Sequence, residues 1–335
     1  MSVNPSQVIV TGVAGFVGSH LAERLVDEGY QVVGIDCFTD YYPRAIKEAN
    51  LNGLLGSSQF QLIEADIVEL DWAPLLAGTE YLFHQAAQAG VRGSWGDSFG
   101  IYVRNNVLAT QHLLEAARQA PLLKGLIFAS SSSVYGEAEA LPTPEDVIPR
   151  PVSPYGVTKV ACEHLCRVYH QSYDVPVVTL RYFTAYGPRQ RPDMAFCRFI
   201  SAMQRDEAVT IYGDGEQTRD FTYVSDIVQA NMLAMEHPHA GQVFNIGGGV
   251  RVSVNAVIDL LEQIVGKPAR RSYVSRQKGD AAHTSADVTR ARKLLGYEPR
   301  VGIGEGLRRQ VEWLVAAAQQ RCGPKHVGRP QRSVH

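Results

Sequence analysis

Val8-Ile9-Val10-Thr11-Gly12-Val13-Ala14-Gly15-Phe16-Val17-Gly18 decides the fold of this 335-residue chain. A short β-branched run enters a turn with glycine at every third position, and an apolar-periodic stretch, Phe16 to Glu28, leaves it. One glycine permits the tight turn, the next lets backbone amides approach a ligand, and the third lets helix pack on strand. The helix start adds unpaired N–H groups and the positive end of a dipole, a place for a pyrophosphate. Outward from this turn the same rhythm repeats. Strands are expected at Gln31–Ile35, Gln59–Glu64, Glu80–His84, Gly125–Ser130 and Val177–Tyr182, with helices at Asn105–Gln119 and Val157–Tyr173. Strands alternating with helices specify right-handed βαβ units and a doubly wound parallel α/β sheet.

The rhythm breaks after Tyr182, where Gly, Pro and Arg crowd Gly187–Pro192. Residues 183–320 therefore read mainly as a smaller lobe at the carboxyl end of the sheet, where open α/β sheets bind ligands. A helix at Val224–Met235 and a strand at Val243–Ile246 return to the main sheet, so residues 1–182 and 224–247 form the larger unit. Residues 321–335, basic and nearly free of apolar anchors, read as a disordered tail.

Composition excludes several function classes. With 32 basic and 34 acidic residues the formal net charge is −2, so no strong field draws nucleic acid or a membrane surface. No apolar run approaches the ~20 residues of a membrane span, and no export signal opens the chain. A cytoplasmic protein is expected. Five cysteines without a CxxC pair read as reduced thiols, and no metal site is expected. Cys162 and Cys166 read as small buried hydrophobes.

Asp36 ends the second strand about 20 residues past the glycine turn, where a carboxylate accepts hydrogen bonds from adenosine ribose hydroxyls. It would repel a 2′-phosphate, which favours NAD over NADP. Asp66 and Ile67 are weaker candidates for the adenine edge. Tyr155 and Lys159 stand one turn apart on one helix face. A phenol is a poor base at neutral pH, but a neighbouring ammonium and a nicotinamide cation favour its phenolate. Ser130-Ser131-Ser132-Ser133 ends a strand at the same sheet edge, and one hydroxyl there can hydrogen-bond a reacting oxygen. His84 reads as structural, and His164 and His170 as facing away from the site.

These motifs resemble the extended short-chain dehydrogenase/reductases, in their nucleotide-sugar epimerase/dehydratase branch, and the likeness spans nearly the whole chain. It is carried by Gly12/Gly15/Gly18, Asp36, His84-Gln85-Ala86-Ala87, Asn105-Asn106-Val107, the serine run and Tyr155/Lys159. It continues through Arg181-Tyr182-Phe183, Tyr186-Gly187-Pro188, Tyr212-Gly213-Asp214-Gly215 and Arg219-Asp220-Phe221. The resemblance implies a Rossmann fold and a tightly held NAD recycled within one turnover. Tyr155 would take the sugar 4-OH proton, Ser131 steady that oxygen, and Lys159 tune Tyr155 and hold the nicotinamide ribose. Ala14, Phe16, Val17, Ala86, Ala87, Gln88, Asn105 and Phe183 would line the cofactor. Arg219 and Asp280 would meet the UDP side, the former on phosphate. A homodimer through a four-helix bundle, built from the Asn105 and Tyr155 helices, is also implied.

Dehydratases of this branch carry Thr-Asp-Glu before Val-Tyr-Gly, and decarboxylases carry a Glu there. This chain has Ser131-Ser132-Ser133, with no carboxylate. A 4-ketone with no acid or base at C5 is left to take hydride on its other face, which points to a 4-epimerase. Phe38-Thr39-Asp40-Tyr41-Tyr42, Gln88-Ala89-Gly90-Val91-Arg92 and residues 184–195 resemble UDP-glucuronate 4-epimerases more than UDP-glucose ones. Thr184 stands where neutral-sugar relatives have Asn. Ser131 to Ser133 and Thr184 are expected on a C6 carboxylate with Arg191 close by, although Arg189 and Arg191 also read as solvated loop charges. Gly93-Ser94-Trp95-Gly96 departs from the family pattern and puts the substrate role of Arg92 in doubt. A UDP-glucose/galactose epimerase, a decarboxylase, a 4,6-dehydratase and a non-catalytic binding member remain open readings.

Overall fold

A computed structural model describes residues 6–237 and 239–322. Its first half alternates β1 (Gln7–Thr11), α1 (Phe16–Asp27), β2 (Gln31–Asp36), α2 (Arg44–Asn50), β3 (Phe60–Glu64), α3 (Ala73–Leu76) and β4 (Thr79–His84). Next come α4 (Phe99–Tyr102), a π-helical stretch Val103–Leu108, α5 (Ala109–Ala117), β5 (Gly125–Ser131), α6 (Pro154–Tyr173) and β6 (Val177–Tyr182). The remainder comprises β7 (Thr184–Tyr186), α7 (Ala195–Gln204), β8 (Ala208–Tyr212), β9 (Thr218–Tyr223), α8 (Val224–Glu236) and β10 (Val243–Ile246). It closes with β11 (Arg251–Ser253), α9 (Val254–Val265), β12 (Arg270–Val274), α10 (Thr289–Leu295) and α11 (Ile303–Cys322).

Seven strands form one parallel sheet in the order β10-β6-β5-β4-β1-β2-β3. Period-two alternation sends successive side chains to opposite faces. Val8, Val10, Phe83, Ile127 and Leu180 pack on one face with Leu21 of α1 and Ile227 of α8. Ile9, Leu82, Leu126 and Phe128 pack on the other with Leu113 of α5 and Cys162 and Cys166 of α6. The strand order reverses between β1 and β4, which opens a crevice at the carboxyl ends of the strands. Facing that crevice, Phe196, Ile200, Val209, Ile211, Phe221, Val257 and Leu261 build a separate core beside two small sheets, β11-β9-β7 and β12-β8.

Two helices begin earlier than the sequence reading placed them. The helix expected from Asn105 starts at Phe99, with the π-helical turns spanning Val103–Leu108. The helix expected from Val157 starts at Pro154, because Ser153 caps it by accepting the Gly156 amide at 3.1 Å and proline fits the first turn. Tyr155 therefore sits in the first turn. At the other end α11 runs to Cys322, two residues into the segment read as a tail, and residues 323–335 lie outside the described residues. No helix among the described residues is long and apolar enough to cross a membrane.

Candidate active site

Two adjoining cavities occupy the crevice. The first, ≈ 440 Å³, runs from Asp36, Asp66 and Ile67 past Gly12, Gly15, Phe16, Val17 and Gly18. It continues along Ala86, Ala87, Gln88, Asn105 and Phe183 to Ser131–Ser133, Tyr155, Lys159, Thr184 and Arg191. The second, ≈ 580 Å³, holds Arg92, Arg198, Tyr212, Arg219, Arg276 and Asp280. Thr184, Arg191, Tyr41 and Met194 line both. The predicted cofactor and substrate residues thus gather into one continuous crevice, with one exception. Ala14 is fully buried in the core, and its amide donates to Asp36 Oδ2 at 3.0 Å rather than facing the cavity.

The end expected to take adenosine is built on β2 and β3. Asp36 accepts the Phe38 amide at 2.8 Å as well as that of Ala14, which fixes the carboxylate at the strand end. Burial pushes its carboxyl above the usual range, opposed by those amides and by Lys47. Asp66 accepts the Val68 amide at 2.9 Å and pairs with Arg104, a partner the sequence did not suggest. The phosphate turn fits a dinucleotide. Gly12 has φ +68°, and a Cβ there would stand 2.8 Å from the Ala86 backbone. α1 opens with neither a side-chain cap nor an acid in its first turn, so its amides are left for an anion.

At the reactive end, Lys159 is buried on α6 and donates to the Ala129 carbonyl at 2.8 Å. Tyr155 packs edge-on against Tyr102, ring centroids 6.2 Å apart. Ser131 caps the turn that follows β5: its Oγ accepts the Ser133 amide and donates to Ser133 Oγ, both at 3.1 Å. Beneath them, Ser130 donates to Glu163, whose carboxylate is clamped by Arg181 at 2.7 and 3.0 Å. Arg181 also donates to Tyr135 Oη at 2.7 Å, and Tyr135 to Asn245 at 2.7 Å. This buried network ties α6 to the ends of β5, β6 and β10.

His84 is buried and structural in placement, between Thr11 Oγ1 at 2.9 Å and Thr110 Oγ1 at 3.1 Å. Burial, then the Lys159 charge, pulls its pKa from 6.5 down to about 3. A group depressed on folding stabilises the native state fully above its unfolded pKa, and that contribution is lost as pH falls toward the folded value. Between about pH 5.5 and about pH 4, His84 should therefore remove stability at about 1.4 kcal/mol per pH unit. Urea titrations of His84→Gln should show a shallower pH slope than wild type by that amount, and equal slopes would remove His84 as the cause. His164 is exposed, and His170 bonds the Val175 carbonyl at 3.0 Å, both away from the cavities.

The second cavity sets Arg92, Arg191, Arg198, Arg219 and Arg276 among the carboxylates of Asp193, Asp214, Glu216 and Asp280. Arg219 is held there by the carbonyls of Thr218 at 2.9 Å and Ala282 at 3.1 Å, and burial lowers its pKa. Arg92, which the glycine-rich departure left in doubt, lies over the Tyr212 ring at 4.1 Å and pairs with Asp280 at 2.7 Å. Arg276 donates to Glu137 at 2.9 Å, and Arg198 lies 5.7 Å from the Tyr212 ring. Sequence reading missed Arg198, Arg276, Tyr41 and Glu163. They come from separate elements, and only the Tyr41-Tyr42 stretch carried a family signal. Arg189 is no solvated charge: it pairs with Glu23 at 2.6 Å. No group of His, Cys, Asp and Glu among the described residues could hold a metal.

Residues 8–247 match the family model for the NAD dependent epimerase/dehydratase family. A UDP-glucuronate 4-epimerase of Thermodesulfobacterium geofontis is 39% identical over 91% of this chain and 95% of its own length. An uncharacterized UDP-glucose epimerase of Bacillus subtilis is 44% identical over 93% of this chain and 99% of its own. Among solved structures, the UDP-glucuronic acid 4-epimerase of Bacillus cereus, crystallised with UDP-glucuronic acid and NAD, superposes with a TM-score of 0.91. It is 45% identical over 93% of this chain and 99% of that one. With the doubly wound sheet, the glycine turn and the Tyr155/Lys159 pair, these likenesses settle the family: the chain belongs to the NAD-dependent epimerases and dehydratases.

Proposed function

We propose that this chain is an NAD-dependent 4-epimerase of a UDP-sugar, interconverting UDP-glucuronate and UDP-galacturonate. The observation that carries the outcome of the reaction is the acid-free reactive end of the first cavity. Among its described lining residues the carboxylates are Asp36 and Asp66 alone, on β2 and just past β3. The serine run stands at the end of β5, three strands from β2 in the sheet, and Tyr155 lines the same cavity from the first turn of α6. Glu163, the carboxylate beneath the run, is bonded to Ser130, clamped by Arg181 and absent from the cavity lining, so no lining carboxylate stands beside Ser131–Ser133 to act on C5 or C6, as dehydration requires.

Bound NAD would supply the oxidant that accepts hydride from C4 and returns it. Gly12 to Gly18 and the start of α1 would hold its phosphates, Asp36 its adenosine ribose, and Asp66 and Ile67 its adenine edge. Ala86, Ala87, Gln88, Asn105 and Phe183 would line it. Residues 1–182 with 224–247 would thus serve the cofactor, and residues 183–320 mainly the nucleotide sugar. Tyr155 would take the 4-OH proton and later return it, while Ser131 donates to the C4 oxygen. Lys159, anchored on the Ala129 carbonyl, would hold the nicotinamide ribose. In the second cavity Arg219 would meet the diphosphate, with Arg92 and Asp280 closing over the UDP side.

Oxidation at C4 turns glucuronate into a β-keto acid, which loses CO₂ when the carboxylate bond stands perpendicular to the ketone plane. Ser132, Ser133 and Thr184, with Arg191, would hold that bond near the plane. Thr184→Ala should therefore release more UDP-pentose than wild type, read by product mass, and no increase would remove the cage from the mechanism.

The function itself is tested by incubating the enzyme with NAD and UDP-glucuronate, then with UDP-glucose in competition. A product of unchanged mass that co-elutes with UDP-galacturonate supports the reading, whereas loss of CO₂ or preference for UDP-glucose rejects it. A homodimer through the Asn105 and Tyr155 helices is supported by apolar side chains they expose. These are Ile101, Val103 and Leu108 on one, and Val157 and Val168 on the other.

A further inference from the structure

Where the two cavities meet, one carboxylate already occupies the guanidinium expected to greet the substrate. Asp193 takes Arg191 side-on, Oδ1 to Nε at 3.0 Å and Oδ2 to one terminal nitrogen at 3.1 Å. Tyr41, from the opposite wall, donates its hydroxyl to the same Oδ2 at 3.2 Å and places its ring 5.6 Å from the Arg191 guanidinium carbon. Burial lifts the Tyr41 pKa to about 12, so the hydroxyl stays a donor. Gly90 makes room for it: φ is +107°, and a Cβ there would stand 2.5 Å from Tyr41 Oη. The loop after β2 and the loop before α7 thus hold Asp193 and Arg191 in one fixed geometry.

An arginine has five N–H donors, and side-on pairing uses one edge. The second terminal nitrogen of Arg191 carries no hydrogen bond to a described residue in this arrangement, and Arg191 lines both cavities whereas Asp193 lines only the second. A carboxylate arriving from the first cavity therefore meets a guanidinium whose charge is half spent. A neutral sugar leaves the pair satisfied, with no buried cation stranded. An unpaired Arg191 would hold a carboxylate more strongly in the ground state, and such binding slows a step in which the contact must loosen. Inversion at C4 is such a step, because the 4-keto ring must offer its other face to the reduced cofactor that returns the hydride.

We propose that Asp193 is a specificity-determining positioning residue: it orients Arg191 and weakens its hold on the sugar carboxylate enough for the ring to turn. This rests on the function proposed above. The test compares wild type, Asp193→Asn and Asp193→Glu as NAD-loaded enzyme, titrated calorimetrically with UDP-glucuronate and with UDP-glucose, followed by steady-state rates. Asp193→Asn should bind UDP-glucuronate roughly 5-fold more tightly, the size of a partly exposed charge pair, and leave UDP-glucose unchanged. Its kcat on UDP-glucuronate should fall with KM, and Asp193→Glu should return both toward wild type. Unchanged or weaker UDP-glucuronate binding in Asp193→Asn, or an equal change for UDP-glucose, overturns the role of Asp193. Failure of the wild type to form UDP-galacturonate instead overturns the proposed function, and the binding comparison reads Asp193 in either case.

Discussion

Tyr155→Phe is expected to fold, to bind UDP-glucuronate with near-normal affinity and to lose turnover by about 10³-fold. The phenyl ring keeps its edge-on contact with Tyr102, and Lys159 keeps its bond to the Ala129 carbonyl, so neither α6 nor the strand end is disturbed. What disappears is the one oxygen proposed to accept the C4 hydroxyl proton. The loss should fall on kcat and kcat/KM alike, since the missing interaction belongs to the transition state. Chromatographic rates beside a thermal midpoint decide it. A near-wild-type rate would move the base elsewhere, and an unfolded variant would show in the midpoint.

Arg181→Met is expected to cost about 3–5 kcal/mol of stability, because it strands the Glu163 carboxylate in the interior. The side chains of Arg181 and Glu163 are 5% and 8% exposed, and they meet at 2.7 Å. Ser130 and Tyr135 lean on the same pair, so the damage should reach the serine run that ends β5. Replacing both partners, Arg181→Met with Glu163→Leu, removes the stranded charge and should recover most of the loss. Urea unfolding of the two variants reads the difference. If the double variant is no more stable than the single one, the cost lies in packing or in the lost bonds of Arg181.

The legible and illegible parts of this molecule divide along a physical line. β1, β2, β4, β5, β6 and β10 announce themselves as short apolar runs closed by turns, because both of their faces are buried. β8 and β12 do not, since they form a two-stranded sheet whose outer residues are charged or exposed. The glycine turn, Asp36, Tyr155 and Lys159 are legible because each needs one residue type at a local spacing. The Arg181–Glu163 clamp, the Arg92–Tyr212 stack and the Tyr41–Asp193–Arg191 group are not, because register and lobe packing bring their members together. Ala14 is the reverse case: it sits inside the motif, with its side chain in the core and its amide on Asp36.

The seven-stranded sheet also carries a consequence for how the chain is made. β6 ends at Tyr182, and its outer neighbour β10 begins only at Val243, after β7, α7, β8, β9 and α8 have been threaded between them. On the ribosome, β6 must wait with an open hydrogen-bonding edge while the intervening lobe emerges. A fragment stopped at Tyr182 would keep every residue proposed for the phosphate turn and still present that bare edge to its neighbours. Aggregation during synthesis, rather than loss of any single contact, is the hazard such a truncation carries.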